Sequence, residues 1–237
     1  MALRPPPHIT LNVMPEPTPS IAMTREQRAL THMAASLLLD YPDPDFHTRT
    51  EQVAAALGTL PDAVRGVLET FLATATATDA QDFEKAYVGT FDLKRKCCLY
   101  LSYYAAGDTR RRGQALVTFM EAYRAAGWEF DAAELPDYLP AVLEFSAVSE
   151  SPVAEQLLAA HREGIEVLRA ALLAVSSPYA GVIEAVCMSL PEIDDATRDR
   201  YLALVNEGPP TETVGLTFLG DLKPFAAGGA APEEARR

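Results

Sequence analysis

Apolar side chains recur every three or four residues along most of the chain, a spacing typical of helices that bury one face. The clearest stretch begins at a capping box, Thr24-Arg25-Glu26-Gln27, and ends before Pro42. Its apolar face consists of Leu30, Met33, Ala34, Leu37, Leu38 and Tyr41. No segment alternates polar and apolar residues with a period of two between turn residues. The sequence therefore predicts an all-α fold, a single-domain helical bundle.

The same spacing predicts two further helices in the first half of the chain. One follows Pro61, which is expected at the first helical position, and Thr78 with Gln81 suggests a capping box for the next. The apolar faces of these two helices are Val64, Val67, Leu68, Phe71 and Leu72, and then Phe83, Tyr87 and Phe91.

Capping signals mark the later helices. Asp108 is expected to cap a helix that buries Leu116, Phe119, Met120 and Tyr123, and Gly127 is expected to close it in the left-handed conformation. Ser151-Pro152 and Ser177-Pro178 indicate two more starts, the second leading to Tyr179, Val182, Ile183, Val186 and Leu190. A last helix is predicted over residues 194–205.

Proline-rich and glycine-rich ends flank this helical region. Residues 1–23 contain six prolines and no apolar periodicity, which predicts a disordered arm. Residues 24–206 are expected to form the one folded domain, and residues 207–237 a flexible tail. Within that tail an apolar island, Val214, Leu216, Phe218 and Leu219, either packs on the last helix or docks in a peptide groove.

Charge and apolar content narrow the class of partner. The net charge is −13, with a pI near 4.7, which disfavours binding to nucleic acid or to an anionic membrane. A partner with a basic or amphipathic segment fits better. No apolar run approaches the ~20 residues that span a bilayer, and the three cysteines form no disulfide pattern. We therefore expect a cytoplasmic protein.

The residues that usually perform catalysis are not arranged in any known motif. The four histidines, His8, His32, His47 and His161, are dispersed, and none has the spacing of a metal site. Phosphate-binding, dinucleotide-binding and nucleophile-elbow motifs are also absent from the sequence. The sequence predicts a protein that is not an enzyme and that holds neither a metal nor a cofactor of its own.

A recognition surface is the functional alternative to catalysis. An amphipathic peptide could lie on an aromatic floor made of Phe83, Tyr87, Phe91, Tyr100, Tyr103 and Tyr104. If residues 99–106 are helical, the last three tyrosines share one face of that helix. Glu134, Asp137 and Glu144 belong to a block without lysine or arginine, and they could rim that floor and meet a basic residue of the peptide. Two simpler interpretations stay open: the rings are core, and the carboxylates are a solvated face.

Three adjacent arginines offer a second candidate site. Arg110, Arg111 and Arg112 stand near a predicted helix start, where they could bind a phosphate or a carboxylate. The alternative function is therefore a carrier or enzyme that handles a phosphorylated pterin through these arginines. Solvated charge or internal ion pairing with the acidic block is the favoured explanation of these arginines. A helical adaptor without a role in metal-enzyme assembly is a third possibility.

Four segments between Tyr87 and Phe145 carry a family resemblance. They are YVGTFDLKRKCCLYLSYY from Tyr87, GDTRRRG from Gly107, the helix end at Tyr123-Arg124-Ala125-Ala126-Gly127, and ELPDYLPAVLEF from Glu134. Together they resemble the assembly chaperones of respiratory nitrate reductase, the NarJ type. Within the wider group of redox enzyme maturation chaperones, a Glu-Pro-x-Asp-His motif marks the peptide-binding region. Here Glu134 and Asp137 match it, and Tyr138 stands in place of the histidine.

The resemblance implies a cytoplasmic, all-helical, non-catalytic chaperone. Such a protein binds the amino-terminal peptide of the nitrate reductase catalytic subunit and holds it competent for insertion of molybdenum cofactor and an iron-sulfur cluster, and for membrane assembly. It implies the catalytic subunit as the partner, with cofactor-delivery proteins as further candidates. Whether the chain works alone or as a homodimer stays open.

Overall fold

The computed structural model describes residues 15–130 and 134–192, and it confirms the all-α prediction. Ten α-helices lie within these residues, with no β-strand among them. They are α1 (Arg25–Leu39), α2 (Phe46–Ala56), α3 (Asp62–Ala77), α4 (Ala80–Phe91), α5 (Ser102–Ala106), α6 (Arg111–Ala125), α7 (Leu139–Val148), α8 (Pro152–Ala160), α9 (Arg162–Ala174) and α10 (Tyr179–Ser189). Short 3-10 turns cover Leu57–Thr59 and Arg95–Cys97.

Helices α1 and α10 lie at the centre of the packing. Helix α1 packs against α7, α10 and α2, and α10 also packs against α3 and α9. Both helices bury side chains completely, such as Leu38 on α1 and Val182 and Ile183 on α10. Each such side chain stabilises the fold by about 1.5–3 kcal/mol relative to an exposed one. Helix α6 packs on α5 and α8 at the edge of this core.

Several predicted caps are confirmed. Thr24 and Gln27 form a complete capping box at the start of α1, with Gln27 N donating to Thr24 Oγ1 over 3.2 Å. Ser151 caps α8 through its hydroxyl, and Gly127 has the predicted positive φ, 79°.

The buried face of α1 differs from the predicted one. Ala34 and Leu38 are buried as predicted, but Tyr41 is exposed and His32 is buried. The other predicted residues, Leu30, Met33 and Leu37, are half-buried.

Other caps differ from the prediction. Asp108 does not cap α6, because its carboxylate pairs with the Arg95 guanidinium, and the hydroxyl of Thr109 accepts from the first turn instead. Thr78 ends α3, and Asp79 caps α4. Pro61 is the residue before α3 rather than its first helical residue.

Three helices, α2, α7 and α9, have no counterpart in the sequence prediction. Helix α2 buries only Phe46, Thr50 and Val53, which is too sparse a pattern to recognise. Helix α9 follows α8 after a break at His161, so the predicted start at Ser151 leads to two helices. The predicted helix over 194–205, the apolar island and the tail lie outside the described residues.

Candidate functional site

The six aromatic residues expected to form a groove floor lie at different depths. Five are buried, namely Phe83, Tyr87, Phe91, Tyr103 and Tyr104, and one, Tyr100, is half-buried. The rings of α4 are buried because they pack around Tyr179 of α10, whose ring centroid lies 5.7 Å from that of Phe83 and 4.9 Å from that of Phe91. The rings of α4 therefore form core in this structure rather than an open groove.

The expected helical face of Tyr100, Tyr103 and Tyr104 also differs from the structure. Helix α5 begins at Ser102, so Tyr100 precedes it and shares no helical face with the other two. The hydroxyl of Tyr104 donates to the carbonyl of Cys98 over 2.7 Å, which fixes this ring in the core.

The segment 134–138 is fixed in place by neighbouring backbone and side chains. Tyr100 and Tyr138 pair in an isolated antiparallel bridge, and their rings lie 5.5 Å apart. Tyr123 donates its hydroxyl to the carbonyl of Pro136 over 3.1 Å. These contacts leave Glu134 exposed, and they present Tyr138 at the surface half-buried.

Asp137 has a structural position that differs from the expected rim. Its side chain is fully buried, and Oδ2 accepts from the backbone N of Ser102 over 3.1 Å and from its hydroxyl over 2.5 Å. The carboxylate thereby holds the first residue of α5. Oδ1 is buried without a hydrogen-bond partner among the described residues.

Three tyrosines reach the surface, and the buried Tyr87 connects one of them to the other two. Tyr41 is 43% exposed, and its ring meets the buried Tyr87 edge-on with centroids 5.4 Å apart. The Tyr87 hydroxyl lies 3.4 Å from that of Tyr138, which in turn neighbours Tyr100. We call Tyr41, Tyr100 and Tyr138 the tyrosine surface.

Exposed carboxylates lie near Tyr100 and Tyr138. Glu134 accepts a hydrogen bond from the Tyr100 hydroxyl over 2.7 Å. Burial raises the pKa of Tyr138 to about 12; the bond with Tyr87 opposes this, and the charges of Asp40, Glu134 and Asp92 add to it. The Tyr138 hydroxyl therefore stays protonated at neutral pH, within reach of three negative charges.

Exposed leucines adjoin these carboxylates in the chain. Leu93 follows Asp92 and is 75% exposed. Leu135 follows Glu134 and is also exposed, and its carbonyl accepts from the backbone N of Tyr138 over 3.0 Å. Sequence reasoning missed these side chains, because a single leucine among polar residues produces no periodic signal.

The remaining predicted residues lie apart or are engaged differently. Glu144 is exposed. Its charge acts on Tyr123 instead of Tyr138: burial raises the pKa of Tyr123 most, and the charges of Asp137 and then Glu144 add to this. The Arg112 guanidinium carbon lies 5.5 Å from the centre of the Tyr100 ring, and Nη1 lies 3.8 Å from Asp108. Arg110 and Arg111 are exposed. The arginine cluster is thus divided, with Arg112 covering one side of the tyrosine surface.

Groups that could support chemistry have no suitable arrangement in the part of the chain that the structure describes. No three His, Cys, Asp or Glu side chains there are grouped to hold a metal ion. Burial raises the pKa of the thiols of Cys97, to about 11, and of Cys98, so both stay protonated. None of the described helices is both long enough and apolar enough to cross a bilayer.

Comparison with known protein families gives one match. The sequence profile described as "Nitrate reductase delta subunit" matches residues 52–185, more than half of the chain. The matched range includes α3 to α9 and Tyr100, Glu134 and Tyr138 of the candidate site.

Three individual relatives have names that refer to nitrate reductase. The nitrate reductase-like protein NarX of Mycobacterium tuberculosis (strain H37Rv) is 36% identical over 154 residues, which is 65% of this chain but only 23% of that protein. The probable nitrate reductase molybdenum cofactor assembly chaperone NarJ of Bacillus subtilis is 29% identical over 72% of this chain and 94% of its own length. The Escherichia coli (strain K12) chaperone NarJ is 34% identical over 47% of this chain and 49% of its own.

Proposed function

The chain belongs to the nitrate reductase delta subunit family, and from this premise we propose that it is a molybdenum cofactor assembly chaperone for nitrate reductase. Its partner is the catalytic subunit of that enzyme, and its site of action is the cytoplasm. It binds the amino-terminal peptide of the subunit and keeps the subunit competent for cofactor and iron-sulfur insertion and for membrane assembly.

The proposal of peptide binding rests on one observation, the tyrosine surface with the exposed carboxylates near it. Aromatic side chains that are half-buried offer contact area at low entropic cost, since their buried contacts already fix the rings. Tyr138 is held in this way by Tyr87 and by the bridge to Tyr100. The surface is therefore largely preorganised for an apolar ligand face.

Charge then favours a basic ligand. Asp40, Asp92 and Glu134 are exposed and all act on Tyr138. A helical peptide with apolar residues on one face could place them on Tyr41 and Tyr138. A lysine or arginine beside that face could then meet these carboxylates. Exposed charges of this kind raise the association rate and fix orientation more than they add affinity.

No covalent step is assigned to the chaperone. Bound peptide would keep the client's amino terminus away from its final contacts until the cofactors are in place, and release would follow when folding of the client competes for the same peptide. The structure does not favour the arginine alternative, because Arg112 is engaged by Tyr100 and Asp108.

Recovery of the catalytic subunit on the tagged full-length chain tests this proposal. Leu93→Asp replaces the exposed leucine next to Asp92 by a negative charge, and it should lower the amount of cofactor-free subunit recovered by at least about tenfold. Leu173→Asp is the matched control, because Leu173 is an exposed leucine on α9. Equal recovery with both variants would contradict the assigned surface.

A further inference from the structure

The proline segment, residues 15–21, lies against α9 instead of forming the disordered arm that the sequence predicts for that stretch. Arg169 Nη2 donates to the carbonyl of Glu16 over 2.6 Å. The backbone N of Thr18 donates to Glu166 Oε1 over 2.8 Å. Both contacts engage the main chain of the segment. Residues 1–14 lie outside the described residues.

A third side chain of α9 completes the contact. Arg162 donates to the carbonyl of Thr18 and, over 2.8 Å, to the hydroxyl of Ser20. The same guanidinium donates to the carbonyl of Leu190 over 2.6 Å, which ties the segment to the end of α10. At its far end, Ile21 N donates to a carbonyl of α10 over 2.8 Å.

The three charged side chains form a buried set that needs these partners. Glu166 is fully buried, and Arg162 and Arg169 are nearly so. Glu166 pairs with Arg169 over 2.8 Å and with Arg162 over 3.6 Å. Buried charges are expensive unless their hydrogen-bonding groups are satisfied. If the segment left, Glu166 would lose the Thr18 amide, and both arginines would lose a carbonyl. These three side chains, which we call the channel, are therefore arranged to bind peptide groups.

The prolines explain which peptide fits. Pro15, Pro17 and Pro19 carry no N–H, and the amide donated to the channel comes from Thr18, between two of them. Proline fixes φ near −65° and so lowers the entropy lost when the segment docks. The carbonyls of Glu16 and Thr18 and the amide of Thr18 bind the charged side chains of α9, and the hydroxyls of Thr18 and Ser20 add to these contacts. Recognition therefore depends on the backbone shape that the proline spacing sets.

We propose that Arg162, Glu166 and Arg169 form a second peptide-binding site, for non-helical segments with proline at alternate positions and an N–H between them. Residues 15–21 are its resident ligand, and a segment of the same kind from another polypeptide exchanges with them. A cleft of about 470 Å³ lies beside Ser20 and Ile21 at one end of the segment, and Glu16 and Pro19 of the segment are exposed. This site is independent of the tyrosine surface.

Binding of a peptide with the sequence of residues 14–24 to full-length protein tests the proposal by fluorescence anisotropy. Thr18→Pro in the protein removes the amide that Glu166 accepts, and it should weaken docking of the protein's own segment by roughly tenfold to a hundredfold. The labelled peptide should then bind this variant saturably, and bind the unmodified protein at least about tenfold more weakly.

Two matched peptides identify the contact. N-methylation of the residue equivalent to Thr18 should weaken binding by at least about tenfold, whereas N-methylation of the residue equivalent to Ala22, which lies beyond the segment 15–21, should leave it unchanged. If circular dichroism shows that Thr18→Pro loses helix, the double variant Pro17→Gly and Pro19→Gly takes its place. That variant loosens the segment by about twofold to fivefold per site without removing a contact.

The outcomes separate cleanly. Saturable binding that depends on the variant and on the free amide supports an exchangeable site. Equal affinity of the methylated and parent peptides, equal affinity of the unmodified and variant proteins, or no saturable binding to any of them would overturn it.

Discussion

The buried histidine of α1 provides a pH-dependent stability that can be worked out in advance. His32 Nε2 lies 2.8 Å from the hydroxyl oxygen of Ser189, and Nδ1 lies 3.0 Å from that of Ser146. Since the Ser189 hydroxyl donates to a carbonyl of its own helix, its oxygen accepts from Nε2–H. The neutral imidazole, with its proton on Nε2, thus satisfies both ring nitrogens between α1, α7 and α10.

Protonation would place a charge in a dry core. Burial, with a smaller effect from Arg28, lowers the pKa of His32 from 6.5 to about 3 in the folded state. The unfolded chain therefore takes up the proton first as the pH falls. Stability is complete above pH 6.5 and falls by about 1.4 kcal/mol per pH unit between 6.5 and 3. At pH 5 the loss is about 2 kcal/mol, and this figure barely changes if the folded pKa is one unit higher.

Urea unfolding of the unmodified protein and of His32→Gln at pH 7.5 and pH 5.0 measures this effect. The variant should be less stable at pH 7.5, and the gap should narrow by about 2 kcal/mol at pH 5.0, because glutamine does not titrate. Burial also lowers the pKa of His161, but both proteins contain this residue. Its contribution therefore cancels in the difference between their free energies of unfolding.

Ser36→Ala is the matched control. It removes a buried hydrogen bond, 2.8 Å long, to the carbonyl of Pro140 at the same α1–α7 interface, but it changes no titrating group. Its effect on the free energy of unfolding should be about 1 kcal/mol at both pH values. A gap for His32→Gln that is the same at pH 7.5 and pH 5.0 would refute the reasoning.

Three further predictions follow from burial and charge. Asp137→Ala should lower the free energy of unfolding by roughly 2–4 kcal/mol in urea titration, because two donors at the start of α5 lose their acceptor. Gly164→Ala should lower it by about 1–3 kcal/mol, since the new Cβ would lie 2.8 Å from a buried tyrosine, whereas Gly113→Ala, in open space on α6, should raise it by about 0.5–1 kcal/mol. Glu134→Lys should slow association of a basic client peptide and flatten its salt dependence in stopped-flow measurements, and Glu69→Lys on α3 should do neither.

Sequence reasoning was most successful where one local signal determines the structure. The complete capping box at Thr24 and Gln27, the proline start after Ser151 and the left-handed Gly127 are confirmed. Each depends on groups within a few residues of chain. Helix α9 was not predicted as a separate element, because its buried face includes Glu166 and Arg169, and charged residues usually indicate solvent.

The candidate site was predictable only in part. The sequence drew attention to the right segments, since Tyr100, Glu134 and Tyr138 meet in the structure. The burial of each tyrosine could not be predicted, because tyrosines at helical spacing are compatible both with a core and with a groove. Asp137 illustrates the limit: nothing in ELPDY distinguishes an exposed rim carboxylate from the buried acceptor of the Ser102 amide.

The proline segment shows a related limit. Six prolines without apolar periodicity predicted disorder, and the contacts that hold Glu16 and Thr18 come from side chains about 150 residues later in the chain. Such long-range partners leave no local pattern near the segment itself.

The most direct test of the proposed function is isothermal titration calorimetry of the full-length chain with a synthetic peptide of the first residues of the nitrate reductase catalytic subunit. We predict saturable binding by the unmodified protein, weakened at least about tenfold by Tyr41→Ala, which removes the most exposed ring of the tyrosine surface. Absence of heat and of any saturable signal with the unmodified protein, or unchanged affinity in the variant, would contradict peptide recognition at this surface.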